Sequence, residues 1–263
     1  MTKPLQSHGK NSKVYVPVLR HIFEQKYRPG DAVVEFTMKD IFAAVAYLGL
    51  SVSNRADIVY RMKSRTEIPP EIQELGFRIL RPVKRGHYRL EKADSTLIEF
   101  PDCEVEIVAD TTPSLVRQMI GEEIGAVDEQ ALLSLVRYNN LLSRFLKMRV
   151  LHLKGHVRKS VEGVGQAEVD DVHIAVPSDA DEPITIVPVE AKGKDEPINR
   201  AQIVMQIIYA RSAFPGHPIR PITIKLFETG EILFIEFADV VEPAALVSIR
   251  SARYALRDIK ISE

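Results

Sequence analysis

The apolar positions of this chain change period along its length, and the changes mark its elements. Val18, Leu19, Ile22 and Phe23 recur with helical spacing, which predicts a helix over Val14–Tyr27 ended by Arg28-Pro29-Gly30-Asp31. Val33-Val34-Glu35-Phe36 reads as a short extended piece. Thr37 then stands as the N-cap of a helix over Met38–Leu48, with Gly49 as its stop. Ser51 or Ser53 caps a further helix over Asn54–Arg65, and Pro69-Pro70 opens a short one, Glu71–Leu75, closed by Gly76. Phe77–Leu80 and His87–Leu90 alternate with period two around Arg81-Pro82-Val83-Lys84-Arg85-Gly86, the pattern of a hairpin with a basic tip.

The second part of the chain has a different rhythm. Residues 92–127 read as a connector, with weak alternation over Glu99–Val108 and a helix from Thr111-Thr112-Pro113 through Glu123. Leu132, Leu133, Val136, Leu141, Leu142, Phe145 and Leu146 form the apolar face of one long helix, Asp128–Met148. Strands are expected near 149–161, 166–176 and 184–192, then a helix over Asn199–Ala213. A hairpin follows, from Ile222–Phe227 and Ile232–Phe237 around Glu228-Thr229-Gly230. Runs of helices and strands in this order give an α+β (mixed α/β) fold class. Residues 1–13 hold few apolar positions and are expected to be disordered.

Composition sharpens this outline in three places. The 263 residues suffice for two modest domains, which the pattern divides into 1–95 and 96–263. The single cysteine, Cys103, allows no internal disulfide and suits a reducing compartment. The chain shows no apolar signal region and no span-length apolar run, so a cytoplasmic protein with no membrane association is expected. Charge is split unevenly. Residues 1–95 carry 17 Lys and Arg against 10 Asp and Glu, while the remainder carries 18 against 26. A basic half can follow phosphates, and an acidic half suits a bound cation.

The N-terminal order of helix, small strand, helix, turn, helix and basic hairpin resembles a winged helix-turn-helix. Such a domain places the N-terminal part of its second helix of the pair in the major groove. Here that helix carries Asn54, Arg55, Asp57, Arg61, Lys63 and Arg65, and Arg and Asn can each make two hydrogen bonds to a base edge. Lys84 and Arg85 on the hairpin would meet backbone phosphate or the minor groove. Double-stranded DNA is therefore the expected partner, with Asn54, Arg55, Arg61, Lys63, Lys84 and Arg85 as its contacts. The competing reading is a helical protein-interaction domain with a solvated basic surface.

The candidate chemistry lies in two triplets. Gly165-Gln166-Ala167-Glu168-Val169-Asp170-Asp171 ascends one expected strand, and Val187-Pro188-Val189-Glu190-Ala191-Lys192 another. Strand residues two apart share a face, so Glu190 and Lys192 point the same way out of an apolar run. Two carboxylates and an ammonium at the end of a buried strand need compensation, and Mg²⁺ supplies it with oxygen ligands and retained waters. The spacing of these triplets, with a helix before and after, resembles the PD-(D/E)XK nuclease superfamily over roughly residues 128–237. The proline that the superfamily pattern places before its first Asp is absent.

That resemblance implies a restriction-endonuclease-like mixed sheet. It makes Asp170, Glu190 and the Ala191 carbonyl metal ligands and Lys192 the group that orients or activates water and stabilises the transition state. The implied cofactor is Mg²⁺, with Mn²⁺ able to substitute. It also draws Gln206 and Gln202, one turn apart on the following helix, and Asn139 toward the site, with Glu122, Glu123 and Glu129 as rivals of Asn139. Glu168 shares the Asp170 face and is either an outer ligand or an exposed strand residue, and Gln166 is a possible support. Asp171 replaces Asp170 if the strand is rotated by one residue. Counting from Glu168 favours Asp170.

His152, His156 and His173 lack the close Cys or His partners of a zinc site. His156, between Lys154 and Arg158, reads as a phosphate contact or plain surface. No Gly-X-Ser-X-Gly and no Walker-type loop is present. The resulting expectation is a Mg²⁺-dependent DNA endonuclease of the type II restriction, defence or mobile-element kind. It is expected to act as a homodimer, with a cognate methyltransferase or other system component as a further partner. A structure-selective repair or junction nuclease, a partner-dependent transposition endonuclease and a non-catalytic winged-helix regulator are the alternatives.

Overall fold

The first apolar stripe is buried as its spacing requires. In the computed structural model, which describes residues 12–50, 68–84, 86–122, 129–161, 165–179 and 181–258, helix α1 (Ser12–Lys26) sets Val18, Leu19, Ile22 and Phe23 into one core. Strand β1 (Val33–Thr37) leads directly into α2 (Met38–Tyr47). Thr37 closes a capping box: its backbone N–H donates to Asp40 Oδ2 at 2.7 Å, and its hydroxyl accepts from the Asp40 N–H. A short helix α3 (Pro70–Glu74) precedes the hairpin of β2 (Phe77–Lys84) and β3 (His87–Lys92). The three strands form an antiparallel sheet in the order β1-β3-β2, with Phe36, Phe77 and Leu90 facing the helices' apolar side chains. On this sheet Arg81 and Glu91 are both buried and ion-paired at 2.9 Å, so neither charge is left alone in the core. Asn54, Arg55, Arg61, Lys63 and Arg85 lie outside the described residues, whereas Lys84 is exposed at the hairpin end of β2.

Most of the chain up to Thr96 belongs to this first compact unit, and most of the chain from Leu97 onward to a second. The second unit is built on a seven-stranded mixed sheet. Its strands are β4 (Val105–Ala109), β5 (Arg149–Val161), β6 (Gly165–Val176), β7 (Thr185–Lys192), β8 (Ile222–Leu226), β9 (Ile232–Phe237) and β10 (Ser248–Arg257). Their spatial order is β4-β10-β9-β8-β7-β6-β5. β7 and β8 are parallel and are linked by helix α7 (Arg200–Ala213), while β6 runs antiparallel to β7. The last strand is absent from the sequence reading, which stops at Phe237. β10 alternates poorly, because three of its ten residues are Arg or Ser at half-covered positions (Arg250, Ser251 and Arg253), so its apolar pattern carries little signal. Its pairing draws β4 into the sheet as a parallel edge, which gives the connector a place in the second unit.

Between β4 and β5 come α4 (Ser114–Glu122), α5 (Glu129–Tyr138) and α6 (Leu141–Leu146). The long helix expected over 128–148 is therefore two helices. Asn140 takes a left-handed conformation at φ 50°, which Asn tolerates better than most residues. Asn139 anchors the break. Its Oδ1 accepts from the Thr111 N–H at 2.7 Å and its Nδ2 donates to Thr112 Oγ1 and the Leu135 carbonyl, both at 2.9 Å. Every polar atom of this buried side chain thus serves the helix break and the segment after β4. Replacing Asn139 with alanine is expected to lower stability by about 1–3 kcal/mol, since it strands buried backbone and hydroxyl groups. A urea midpoint within error of the parent would contradict that role.

The strand alternation of β7 sorts its residues onto two faces. Val187, Val189 and Ala191 join Leu132, Leu133, Val136, Leu141 and Phe145 in one core. The opposite face lies under α7, where Ile203 and Ile207 pack with Leu233, Ile235 and Phe237. Glu190 and Lys192 alternate with the first set and so belong to the α7 face. Their register partners on β8, Thr223 and Lys225, belong there with them.

Candidate active site

Asp170, Glu190 and Lys192 meet at the α7 face of the sheet. β6 pairs with β7 so that Asp171 opposes Val189, which puts its neighbour Asp170 on the same face as Glu190. Asp170 Oδ2 accepts the backbone N–H of Ala191 at 2.9 Å, which fixes the carboxylate between Glu190 and Lys192 along the strand. Lys192 Nζ lies 2.8 Å from Glu190 Oε1, and both side chains are almost fully buried.

The electrostatics follow from this crowding. Burial, with the nearby Asp170 charge second, pushes Glu190 up to about 7 in spite of Lys192. Burial also raises Asp170, against the Ala191 N–H, Lys192 and His156. For Lys192 burial pulls the other way and loses: Glu190, Asp170 and Glu196 hold its ammonium above the ordinary range. The site therefore keeps a charged lysine beside two carboxyls that resist ionising together.

A second pair of carboxyls adjoins the first. Glu129, at the start of α5, and Glu196, in the turn after β7, are hydrogen-bonded to each other. Burial and this bond raise Glu129. In Glu196 the burial effect is outweighed by the Gly193 N–H, the Glu129 bond and the charges of Lys192 and Lys225. Lys225 holds the turn in place. Its buried ammonium donates to the carbonyls of Gly193, Lys194 and Glu196, the last two at 2.7 Å. Glu129 was a rival candidate in the sequence. Glu196 and Lys225 carried no signal there, since a loop acid and a strand lysine declare nothing until the turn brings them together.

Gln206 sits on the buried side of α7, over the same face, with no exposure. Among the described residues neither its Oε1 nor its Nε2 has a hydrogen-bond partner, and the Thr223 hydroxyl beside Glu190 in register has none. Unpaired buried amides and hydroxyls are rare and mark a place where water, an ion or a ligand completes the set. Gln202, one turn earlier, is exposed instead. Glu168 points outward and pairs with Arg158, and its charge raises Asp170 from a distance. Gln166 lies on β6 with its side chain outside the described set. Among the described residues no group of three His, Cys, Asp or Glu side chains forms a cation cage. The oxygen donors on offer are two carboxylates and the Ala191 backbone carbonyl, a set that Mg²⁺ accepts because it keeps several waters.

Asp171 belongs to the other face and to other chemistry. Fully buried, it receives Arg137 NH2 at 2.7 Å, His152 Nε2 at 2.9 Å and His173 Nε2 at 3.0 Å. Burial opposes ionisation here, but His173 and Arg137 outweigh it and hold the carboxyl below the ordinary range. A Cβ on Gly155 would lie 3.0 Å from Asp171 Oδ1, so any other residue here would have to push that carboxylate aside by a few tenths of an ångström.

The raised Glu190 gives a pH signature. Its folded-state pKa of about 7 exceeds the ordinary 4.5, so between these values the folded protein holds more protons than the unfolded chain. Stability is expected to fall as pH rises from 4.5 toward 7 and to level off above that, by about 3 kcal/mol. Glu190→Gln should flatten this limb when urea midpoints at acid and neutral pH are compared. An equal slope in parent and variant would contradict it.

Comparison of the chain with protein-family models, with curated proteins and with solved structures yields no match. Among the described residues no helix is long and apolar enough to cross a membrane.

Proposed function

We propose that the protein is a Mg²⁺-dependent endonuclease acting on duplex DNA, with the reacting phosphate at Asp170, Glu190 and Lys192. The observation that carries this reading is the junction of a buried, charged lysine with two carboxyls, one of them locked by the Ala191 N–H. The resemblance to the PD-(D/E)XK superfamily, read from the two triplets, supports the same reaction class. In this reading Asp170, Glu190 and the Ala191 carbonyl would hold Mg²⁺, with the buried polar atoms of Gln206 and Thr223 beside them. When bound, the cation supplies a polarised water at neutral pH and counter-charge for the phosphate.

The chain's own groups do the rest. The two carboxyls, which burial disposes to hold protons, release them when a cation arrives, so cation affinity rises with pH. Lys192 presents fixed positive charge to the charge that grows on the phosphate oxygens as the phosphodiester bond breaks. Its own carboxylate neighbours keep it protonated for that role. The net basic N-terminal third, and Lys84 on its hairpin, supply contacts to the DNA backbone. A winged-helix-like reading of that unit, a homodimeric assembly and a restriction or defence setting are parts of the same proposal.

The test uses the full chain with plasmid and phage DNA, in Mg²⁺ or in EDTA. Discrete fragments in Mg²⁺ alone, lost in Asp170→Asn, are expected. A smear or nicks in place of fragments would keep the reaction and move the protein to the structure-selective class. Intact DNA in every divalent cation would overturn the reading.

A further inference from the structure

β5 ends the strand order of the seven-stranded sheet, so among the described residues no strand pairs with its outer edge. It is also the most basic strand of the chain. Arg149, Lys154, Arg158 and Lys159 are exposed along it, with His152 and His156 between them, and no acidic residue interrupts the strand. Arg158 is engaged by Glu168. Arg149, Lys154 and Lys159 make no ion pair with any described residue.

The strand runs directly beside the site. Gly155 approaches the backbone of Asp170, and the charge of His156 is felt by the Asp170 carboxyl. His156 itself takes a left-handed conformation, φ 49°, which costs a non-glycine residue energy and turns the strand locally next to Asp170. From Arg149 to Lys159 the strand extends roughly 33 Å, the axial length of about ten phosphates of one DNA strand.

An open strand edge can also accept another strand, and the exposed Leu151 and Leu153 offer apolar surface for one. A second copy laid antiparallel on this edge would oppose cation to cation, however, whereas a polyanion meets complementary charge along the whole length. We propose that β5 is a docking ridge for the phosphodiester backbone of duplex DNA, leading it to Asp170. The inference takes its substrate from the nuclease reading, but its test does not depend on cleavage.

The experiment measures binding of a fluorescent 30-base-pair duplex to the full chain, without divalent cation, across a salt series. The variant Arg149→Gln/Lys154→Gln/Lys159→Gln changes three exposed positions. The slope of log Kobs against log salt is expected to become shallower by about 2 to 3, near 0.9 per lost charge. Arg257→Gln, an exposed cation on β10, is expected to leave it unchanged. An unchanged slope in the triple variant overturns the ridge. So does an unchanged slope with a lower molar mass by light scattering, which would make β5 a contact between copies of the chain. A shallower slope in a protein that cleaves no DNA would uphold the ridge and refute the nuclease reading instead.

Discussion

Lys192→Ala is expected to lower the rate of Mg²⁺-dependent DNA cleavage by about 10²–10³ while leaving duplex affinity nearly unchanged. The magnitude is that of removing one preorganised charge or donor from a transition state in a water-poor site. The near-complete burial of the ammonium is what makes the loss so large, because no solvent cation can take its place. Affinity is spared because backbone contacts elsewhere carry binding, and the deleted contact forms mainly as charge builds on the phosphate. Lys192→Arg is not an innocent control, since a planar guanidinium is bulkier than the ammonium and must shift its buried neighbours to meet Glu190. Single-turnover rates at saturating protein separate the two effects. Retained cutting in Lys192→Ala would remove this residue from the chemistry, and a large drop in affinity with an unchanged single-turnover rate would make it a binding contact only.

The largest expected effect on stability lies one residue from the site. Asp171→Ala removes the shared acceptor of Arg137, His152 and His173. Breaking one side of a fully buried pair costs about 3–5 kcal/mol; Arg137 and His152 are partly exposed, so water relieves them and the lower end, about 3 kcal/mol, is expected, or roughly 10 °C in the melting transition of the second unit. Because the network holds Asp171 below the ordinary carboxylate range, its contribution is full at neutral pH and fades as acid protonates it below 3.8. Parent and variant should therefore converge in stability at low pH. A variant less than about 1 kcal/mol weaker at neutral pH would mean that the three donors find other acceptors. The contrast with Asp170 is instructive: adjacent carboxylates in one strand are turned by the pleat toward different faces, one beside Glu190 and Lys192 and one to a structural lock.

Several features of the fold were legible from local pattern alone. Thr37 announces α2 because a hydroxyl before an apolar run, with Asp three residues later, satisfies the first free amides of a helix. Glu190 and Lys192 share a face because a strand has period two, whatever surrounds it. The break of the long helix was half legible. The Asn139-Asn140 pair is odd in a helix, yet only the Thr111 and Thr112 groups, brought in from the segment after β4, explain why the chain stops there. β10 was not legible, because its half-covered arginines mask the alternation and its partners lie far away in sequence.

The sequence by itself determined the α+β class, the charge division between the two halves and the placing of Glu190 and Lys192 on one face of a strand. These depend on nearest neighbours and on backbone period, which are local. Only the tertiary structure decided that Asp170 and not Asp171 shares their side, that Glu129 and Glu196 join them, and that Gln206 is buried with no hydrogen-bond partner among the described residues. It also decided that Glu190 titrates near 7, because α7 closes over that face and removes the water that would otherwise stabilise the charge. Register, burial and the meeting of residues distant in the chain are properties of the packed sheet, and no single segment contains them.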